Sequence, residues 1–263
     1  MKIAVCIKQV PASSNVKVDP VTGVLIRSNT NNKMNPYDLY AIETALRIKE
    51  KLPNVTVSVI SMGPFQAKEI LMEALWMGCD EAYLLSDRKF AGSDVLATSQ
   101  ALSQGLLHIG DIDLVICGKQ TTDGDTAQVG SEIAELLGFP QATYVCDIES
   151  VTNNYIVVKT NNENHYEILK VELPCLITVE KDIYTPRLPS YKRGKDLLDY
   201  EVKVITFNDL ANNDENLYGL NGSATQVEKI FSPEKNTQRN VVEGSPSYLA
   251  QVLLNDLRTN KYL

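Results

Sequence analysis

Along roughly the first half of the chain, apolar runs of strand length alternate with segments whose apolar residues recur at helical spacing, and the alternation predicts a βαβαβα order. Lys2 to Val10 reads as the first strand, and Val16 to Arg27 as a hairpin turned by Asp19-Pro20 and Gly23. Asn35-Pro36 then opens a helix with an N-cap and a proline at its first position, and Leu39, Ile42 and Leu46 carry the period down to Leu52-Pro53. Val55 to Ile60 is the next strand. A helix starting at Gly63-Pro64 has Ala67, Ile70, Leu71, Ala74 and Leu75 on its apolar face and stops at Gly78. Ala82 to Leu85 is a strand, Ser93-Asp94 caps a helix through Leu107, and Asp113 to Cys117 is a buried-type strand followed by a loop and the helix Ser131 to Leu137.

Beyond Gly138-Phe139-Pro140 the pattern changes. Ala142 to Val151, Tyr155 to Thr160 and Tyr166 to Val179 read as strands joined by Asn-rich turns, a β-rich extension of the same sheet. From about Tyr184 periodicity is lost, and a polar tail ends in a helix candidate, Ser247 to Arg258. Such a tail cannot bury a core of its own. The expected division is therefore a domain over residues 1–195 and a C-terminal arm over 196–263 that wraps a partner or packs back on the domain.

The loop from Gly118 to Gly130 carries the most chemistry. It joins a strand to a helix, and the first helical N–H groups, near Thr126 to Val129, lack intrahelical partners while the helix dipole turns its positive end toward them. Phosphate or ribose oxygens suit such a place. The spacing matches neither the Walker A loop nor the GxGxxG fingerprint. Asp123 and Asp125 would repel a phosphate they faced, so Thr122, Thr126 and the backbone are expected to bind the anion. The acids are expected to point at ribose hydroxyls, at the helix cap or at Lys119. Gly124 is expected to take positive φ, and Gly130 to make room for a ligand or a neighbouring strand. An ordinary capped loop with Asp125 as N-cap is the competing reading. In open parallel sheets ligands lie beyond the carboxyl ends of strands, so Lys8 to Ser14, Asn35 to Asp38, Met62 to Phe65 and the Gly118 loop should converge on one cleft.

Composition narrows the function classes. With 263 residues, 44% hydrophobic and 22% charged, the chain is an ordinary globular protein, and a net charge of −8 argues against a nucleic-acid surface. Five cysteines without a CxxC pattern read as buried free thiols in a reducing cytoplasm. The two histidines, His108 and His165, are far apart, which argues for structural roles and against a metal site. The amino terminus is too short an apolar run for a signal sequence, and no membrane span is expected.

Several motifs in register resemble the β subunit of electron transfer flavoproteins over the whole chain: Val5 to Pro11, Val16 to Gly23, Met34 to Pro36, Ala41 to Ala45, Met62 to Pro64, Gly118 to Gln120, Asp123 to Gly130 and Pro186-Arg187. The resemblance implies a Rossmann-like three-layer α/β domain with a mainly parallel sheet, paired with a larger α subunit. It implies a nucleotide cleft built from Cys6, Lys8, Val10, Pro11, Asn35, Pro36, Tyr37, Asp38, Met62 and Gly63, together with Gly118, Lys119, Gln120, Thr121, Thr122, Asp123, Gly124, Asp125, Thr126, Ala127, Gln128 and Val129. No side chain is expected to act as a catalyst, because a bound flavin carries the redox work.

Two classes within that family differ in what fills the cleft. One holds AMP as a structural filler; the other holds an FAD that takes hydride from NADH and splits the electron pair. The second class is implied by Gln9-Val10-Pro11, by Asp123 to Gly130, and by tail segments Gly219 to Thr225 and Phe231 to Pro233. It would serve ferredoxin or flavodoxin as the low-potential carrier and a lactate or acyl-CoA dehydrogenase as the other partner. The small residues Ala12, Ser13 and Ser14 would leave a route to the flavin N5. A nucleotide-sensing module without a redox role is the reading from another class. Residues Pro186 to Gly194 match the family's recognition loop, in which Leu188 and Tyr191 offer anchors to the dehydrogenase within a basic rim of Arg187, Lys192 and Arg193.

Overall fold

A computed structural model of the chain describes residues 1–12, 17–18, 25–26, 32–228, 239 and 241–263. In chain order the first strands are β1 (Lys2–Cys6), β2 (Gln9–Pro11), β3 (Lys17–Val18), β4 (Leu25–Ile26) and β5 (Asn32–Met34), followed by helix α1 (Pro36–Lys51). Then come β6 (Thr56–Met62), α2 (Lys68–Met77), β7 (Glu81–Leu85), α3 (Val95–Ile109), β8 (Leu114–Gly118) and α4 (Val129–Leu137). The extension comprises β9 (Gln141–Val151), β10 (Tyr155–Asn162), β11 (His165–Glu172) and β12 (Cys175–Val179). Helix α5 (Tyr191–Asp196), β13 (Lys203–Ile205), α6 (Gly219–Gly222) and α7 (Pro246–Thr259) complete it.

Nine strands form one sheet in the order β11-β10-β9-β12-β8-β1-β6-β7-β13. All neighbours from β9 to β13 along that order are parallel, while β10 pairs antiparallel with both β9 and β11. The parallel strands are buried on both faces, so β1, β8 and β12 are continuous apolar runs rather than alternating ones. Ile3, Val5, Leu114 and Ile116 pack with α1 and α2 on one face. Ala4, Cys6, Val115 and Cys117 pack with α3 and α4 on the other, which makes the three layers of a doubly wound α/β fold. Among the described residues no helix is long and apolar enough to cross a membrane.

Several expected elements change on inspection. The first strand stops at Cys6, because the Lys8 amide donates to the Asp38 carboxylate and the chain leaves the sheet; Gln9–Pro11 then pairs antiparallel with Asn32–Met34. β6 runs on to Met62. The run Tyr166 to Val179 is two strands, with Pro174 between them lacking an N–H for either ladder, so β11 lies at an edge and β12 at the centre. Lys17–Val18 pairs antiparallel with Leu25–Ile26, as the hairpin reading requires, while its turn at Asp19-Pro20 and Gly23 lies outside the described residues.

The chain beyond Gly194 joins the sheet, where weak periodicity gave no sign of a strand. β13 lines up beside β7, and Phe207 and Tyr218 meet edge to face at 5.4 Å, both against Phe90. These rings lie in the core with α3. Helix α7, by contrast, buries no residue.

Gly130 resolves one open alternative. A β-carbon there would lie 2.6 Å from Thr178 Cγ2, so the glycine lets α4 settle on the neighbouring strand β12. Gly130→Ala is expected to lower the unfolding free energy by about 1–3 kcal/mol, the scale of overpacking in a filled core. Thr178→Ser removes the opposing methyl but keeps the hydroxyl that accepts from the Tyr144 amide. Urea denaturation of the double variant should recover most of the loss; an equal cost in both backgrounds would place the strain elsewhere.

Candidate functional site

The chain runs outward from β1 to β6 and β7 on one side, then returns to place β8 on the other side of β1. At such a reversal the loops leaving the two central strands splay apart and open a crevice above their carboxyl ends. Here those loops are Ile7 to Val10, after β1, and Gly118 to Gln128, after β8. The start of α1 closes the crevice between them.

Asp38, in the first turn of α1, is buried and ties these pieces together. Its carboxylate accepts from the Lys8 amide at 2.7 Å and from Asn35 Nδ2 at 2.9 Å. Asn35 Nδ2 also donates to the Gln120 carbonyl at 2.9 Å, and Asn35 Oδ1 accepts from the Thr122 amide at 3.2 Å. The Asn35 amide in turn donates to the Lys8 carbonyl. Asn35 thus sits at the N-cap position of α1 without capping it; its side chain is spent on holding the β8 loop. Gly118 allows the approach, because a β-carbon there would stand 2.5 Å from Asp38 Oδ1 and 2.8 Å from the Tyr37 carbonyl carbon.

Burial pushes the Asp38 carboxyl up to about 7, against the pull of the bonds from Asn35 and Lys8. Beneath it Cys6 and Cys117 are paired across β1 and β8, and their mutual hydrogen bond and burial push the Cys117 thiol up. On its α3 and α4 side the floor of the crevice therefore carries in Cys117 a thiol held protonated rather than a reactive thiolate.

The Gly118–Gly130 loop is built differently from the expectation. Helix α4 begins at Val129 after Gln128, and no side chain caps it, so Asp125 is not its N-cap. Positive φ falls on Asp125 (54°) and Ala127 (55°), not on Gly124. Asp123 faces Lys8, with 2.9 Å between the ammonium and the carboxylate; Asp125 accepts from Gln120 Nε2, and Lys119 pairs with Glu180. Burial works against the charge on Asp123, but the Lys8 ammonium holds its carboxyl below the usual range. The acids are thus turned away or neutralised. Thr121 closes the turn, its carbonyl accepting from the Asp125 amide.

What this arrangement offers a ligand follows from its donors. Thr122, Thr126 and Gln128 are exposed, and among the described residues no side chain accepts from the first-turn N–H groups of α4. That set fits the phosphates of an adenylate or flavin nucleotide. Of the other predicted residues, Lys8 and Pro11 are exposed at the rim, while Val10 is 1% exposed and belongs to the core. Pro36 opens α1, and Met62 ends β6, with Gly63 just beyond it donating its amide to the Leu85 carbonyl. Gln9, from the Gln9-Val10-Pro11 motif, donates its side-chain amide to the Gln66 carbonyl and so ties β2 to the loop after β6.

The segment from Pro186 to Gly194 lies apart from the crevice, against α1 and α2. Leu188 and Tyr191 are 87% and 80% exposed. Arg187 is not part of an outer basic rim: its guanidinium turns inward to Glu43 and Glu50. Ser190 caps the short helix α5, so half of the expected connector is helical. Glu43 itself escaped notice, although an acid between Ile42 and Thr44 on an otherwise apolar helix face is a signal that an arginine must reach it.

Comparison with known proteins agrees with this geometry. A family model described as an electron transfer flavoprotein domain matches residues 22–205. The chain is 46% identical over 233 residues to the caffeyl-CoA reductase-Etf complex subunit CarD of Acetobacterium woodii, covering 89% of this chain and 88% of that protein. It is 48% identical to the electron transfer flavoprotein subunit beta of Thermoanaerobacterium thermosaccharolyticum, with 91% and 90% covered. The protein of the same description from Clostridium acetobutylicum is 43% identical over the full length of both chains. With the strand-end crevice, the doubly wound sheet and these relatives in agreement, the chain belongs to the electron transfer flavoprotein family, as a β subunit.

Proposed function

We propose that the crevice above β1 and β8 holds FAD, and that the protein, joined to an α subunit in a cytoplasmic complex, exchanges hydride with NAD(H) and divides the electrons between two acceptors. The observation that carries the reading is the uncapped α4 start facing an open loop whose two acids are already engaged by Lys8 and Gln120. The similarity to CarD, a subunit of a reductase-Etf complex, favours the two-flavin class. A flavin bound there supplies the two-electron exchange with a nicotinamide and one-electron delivery to its acceptors. The protein's own residues bind and orient: Thr122, Thr126 and the α4 amides take the diphosphate, and Asn35 and Asp38 keep the β8 loop in place. Conventional AMP retention is the second reading, favoured by relatives described only as a β subunit. The acceptors in our reading are a ferredoxin or flavodoxin and a dehydrogenase of the lactate or acyl-CoA type.

Nucleotide content separates the readings. The heterodimer is expected to release two FAD on denaturation, and NADH should bleach its flavin absorbance in anaerobic stopped flow. One FAD with one AMP, and no bleaching at any NADH concentration, would establish the AMP reading.

Thr126→Glu should abolish nucleotide retention by the β subunit, since it places a carboxylate against the phosphates and removes a hydroxyl donor. A folded variant with full FAD occupancy would remove the diphosphate from α4.

In the docking segment, Tyr191→Ala is expected to weaken binding of the dehydrogenase by about 2 kcal/mol, the scale of a buried aromatic anchor. Flavin content and NADH reduction of the isolated heterodimer should be unaffected. Electron transfer at subsaturating dehydrogenase measures it, and an unchanged rate would move the contact elsewhere.

A further inference from the structure

Leu188 and Tyr191 stand almost fully in solvent, yet the backbone that presents them is stitched down on both sides. On the α1 side, Glu43 is 2% exposed and its two oxygens receive Arg187 three times: from Nε at 2.8 Å, from Nη2 at 3.1 Å and from the backbone amide at 3.1 Å. The remaining guanidinium nitrogen, Nη1, reaches Glu50 at 2.7 Å. Arg47, one turn along α1, donates to the same Glu43 carboxylate at 3.0 Å and lies over the Tyr184 ring at 4.4 Å. On the α2 side, the Ser190 amide donates to the Trp76 carbonyl. Arg193 donates to the carbonyls of Leu75 at 2.8 Å and Cys79 at 2.7 Å, satisfying the end of α2.

A buried carboxylate shared by two arginines is a costly way to hold a surface connector, since Glu43 loses its hydration while the arginines keep part of theirs. Its return is geometric, because a planar fork on a carboxylate fixes direction as well as distance. Exposed apolar side chains on a fixed backbone lose little freedom when they enter a partner's pocket, and that is where preorganisation gains affinity. A connector that only linked β12 to β13 would need neither the fork nor the second tether.

We propose that Glu43 is a positioning residue for partner docking: through Arg187 it fixes the Pro186–Gly194 backbone so that Leu188 and Tyr191 project as a preformed anchor for the dehydrogenase. The inference rests on the reading of this segment as the docking site, and its test separates the two. In the intact heterodimer Glu43→Gln keeps the size of the side chain but loses the charge, and Arg187→Lys keeps the charge but loses the fork. Arg187→Lys also serves if Glu43→Gln does not fold. The probe is whichever of an acyl-CoA dehydrogenase or a flavin-dependent lactate dehydrogenase shows saturable electron transfer with the wild type.

Both variants should exchange the amide hydrogens of residues 187–192 at least about tenfold faster than wild type, and raise the KM for the dehydrogenase about five- to tenfold with kcat and flavin content unchanged. Adding Tyr191→Ala to Glu43→Gln should cost less than it does in the wild type, since a loosened anchor has less to lose. Unchanged amide exchange would overturn the positioning role. Faster exchange with an unchanged KM, or no electron transfer to either dehydrogenase, would instead overturn the docking reading and the proposal with it.

Discussion

The Asp38 carboxylate is the point on which the crevice depends. Strand β1 ends, helix α1 begins and the β8 loop turns within hydrogen-bonding distance of one buried acid and its partner Asn35. The first two segments share the short β2–β5 ladder, but the β8 loop has no regular ladder to hold it there. Without the carboxylate, the Lys8 amide would lose its acceptor and Asn35 Nδ2 would keep only the Gln120 carbonyl, a cost of about 1 kcal/mol for each lost bond. Gly118 is the other half of the same constraint, since any side chain would occupy the space that Asp38 and Tyr37 fill.

Local signals in the sequence were read well where the structure is local. Asp94 does cap α3, accepting from the Ala97 amide, and Gly78 does end α2. The central strands β1 and β8 stand out as apolar runs, as a sheet covered on both faces requires. What escaped was set by partners distant in the chain. Pro174 divides a run that looks continuous, because the strands on either side belong to different parts of the sheet. β13 is three residues long and is recognisable only beside β7.

The crevice shows the same division. The strand-loop-helix order places the loops at the strand ends, but the wiring between them does not follow from it. Asp123 finds Lys8, 115 positions away, and Arg187 finds Glu43 across 144. Charge on the loop therefore could not be assigned from spacing: two acids that seem to repel a phosphate are occupied elsewhere. Left-handed backbone at Asp125 and Ala127 was likewise hidden, because a neighbouring glycine is the residue on which such a conformation is ordinarily expected.

The doubly wound order has a consequence for how the protein comes to be folded. Strand β1 is made first but lies at the centre, and one of its two neighbours, β8, pairs Leu114 with Ile3 only after the whole β6–β7 half has been laid down. The Lys8, Asn35 and Asp38 corner comes from one early stretch of chain, but the β8 wall waits for contacts of long sequence separation, the kind that close late and slowly. A nucleotide held there, as we propose, would bind the finished sheet in preference to partly assembled chain, and its binding energy would be added to the stability of the entire sheet rather than to one loop.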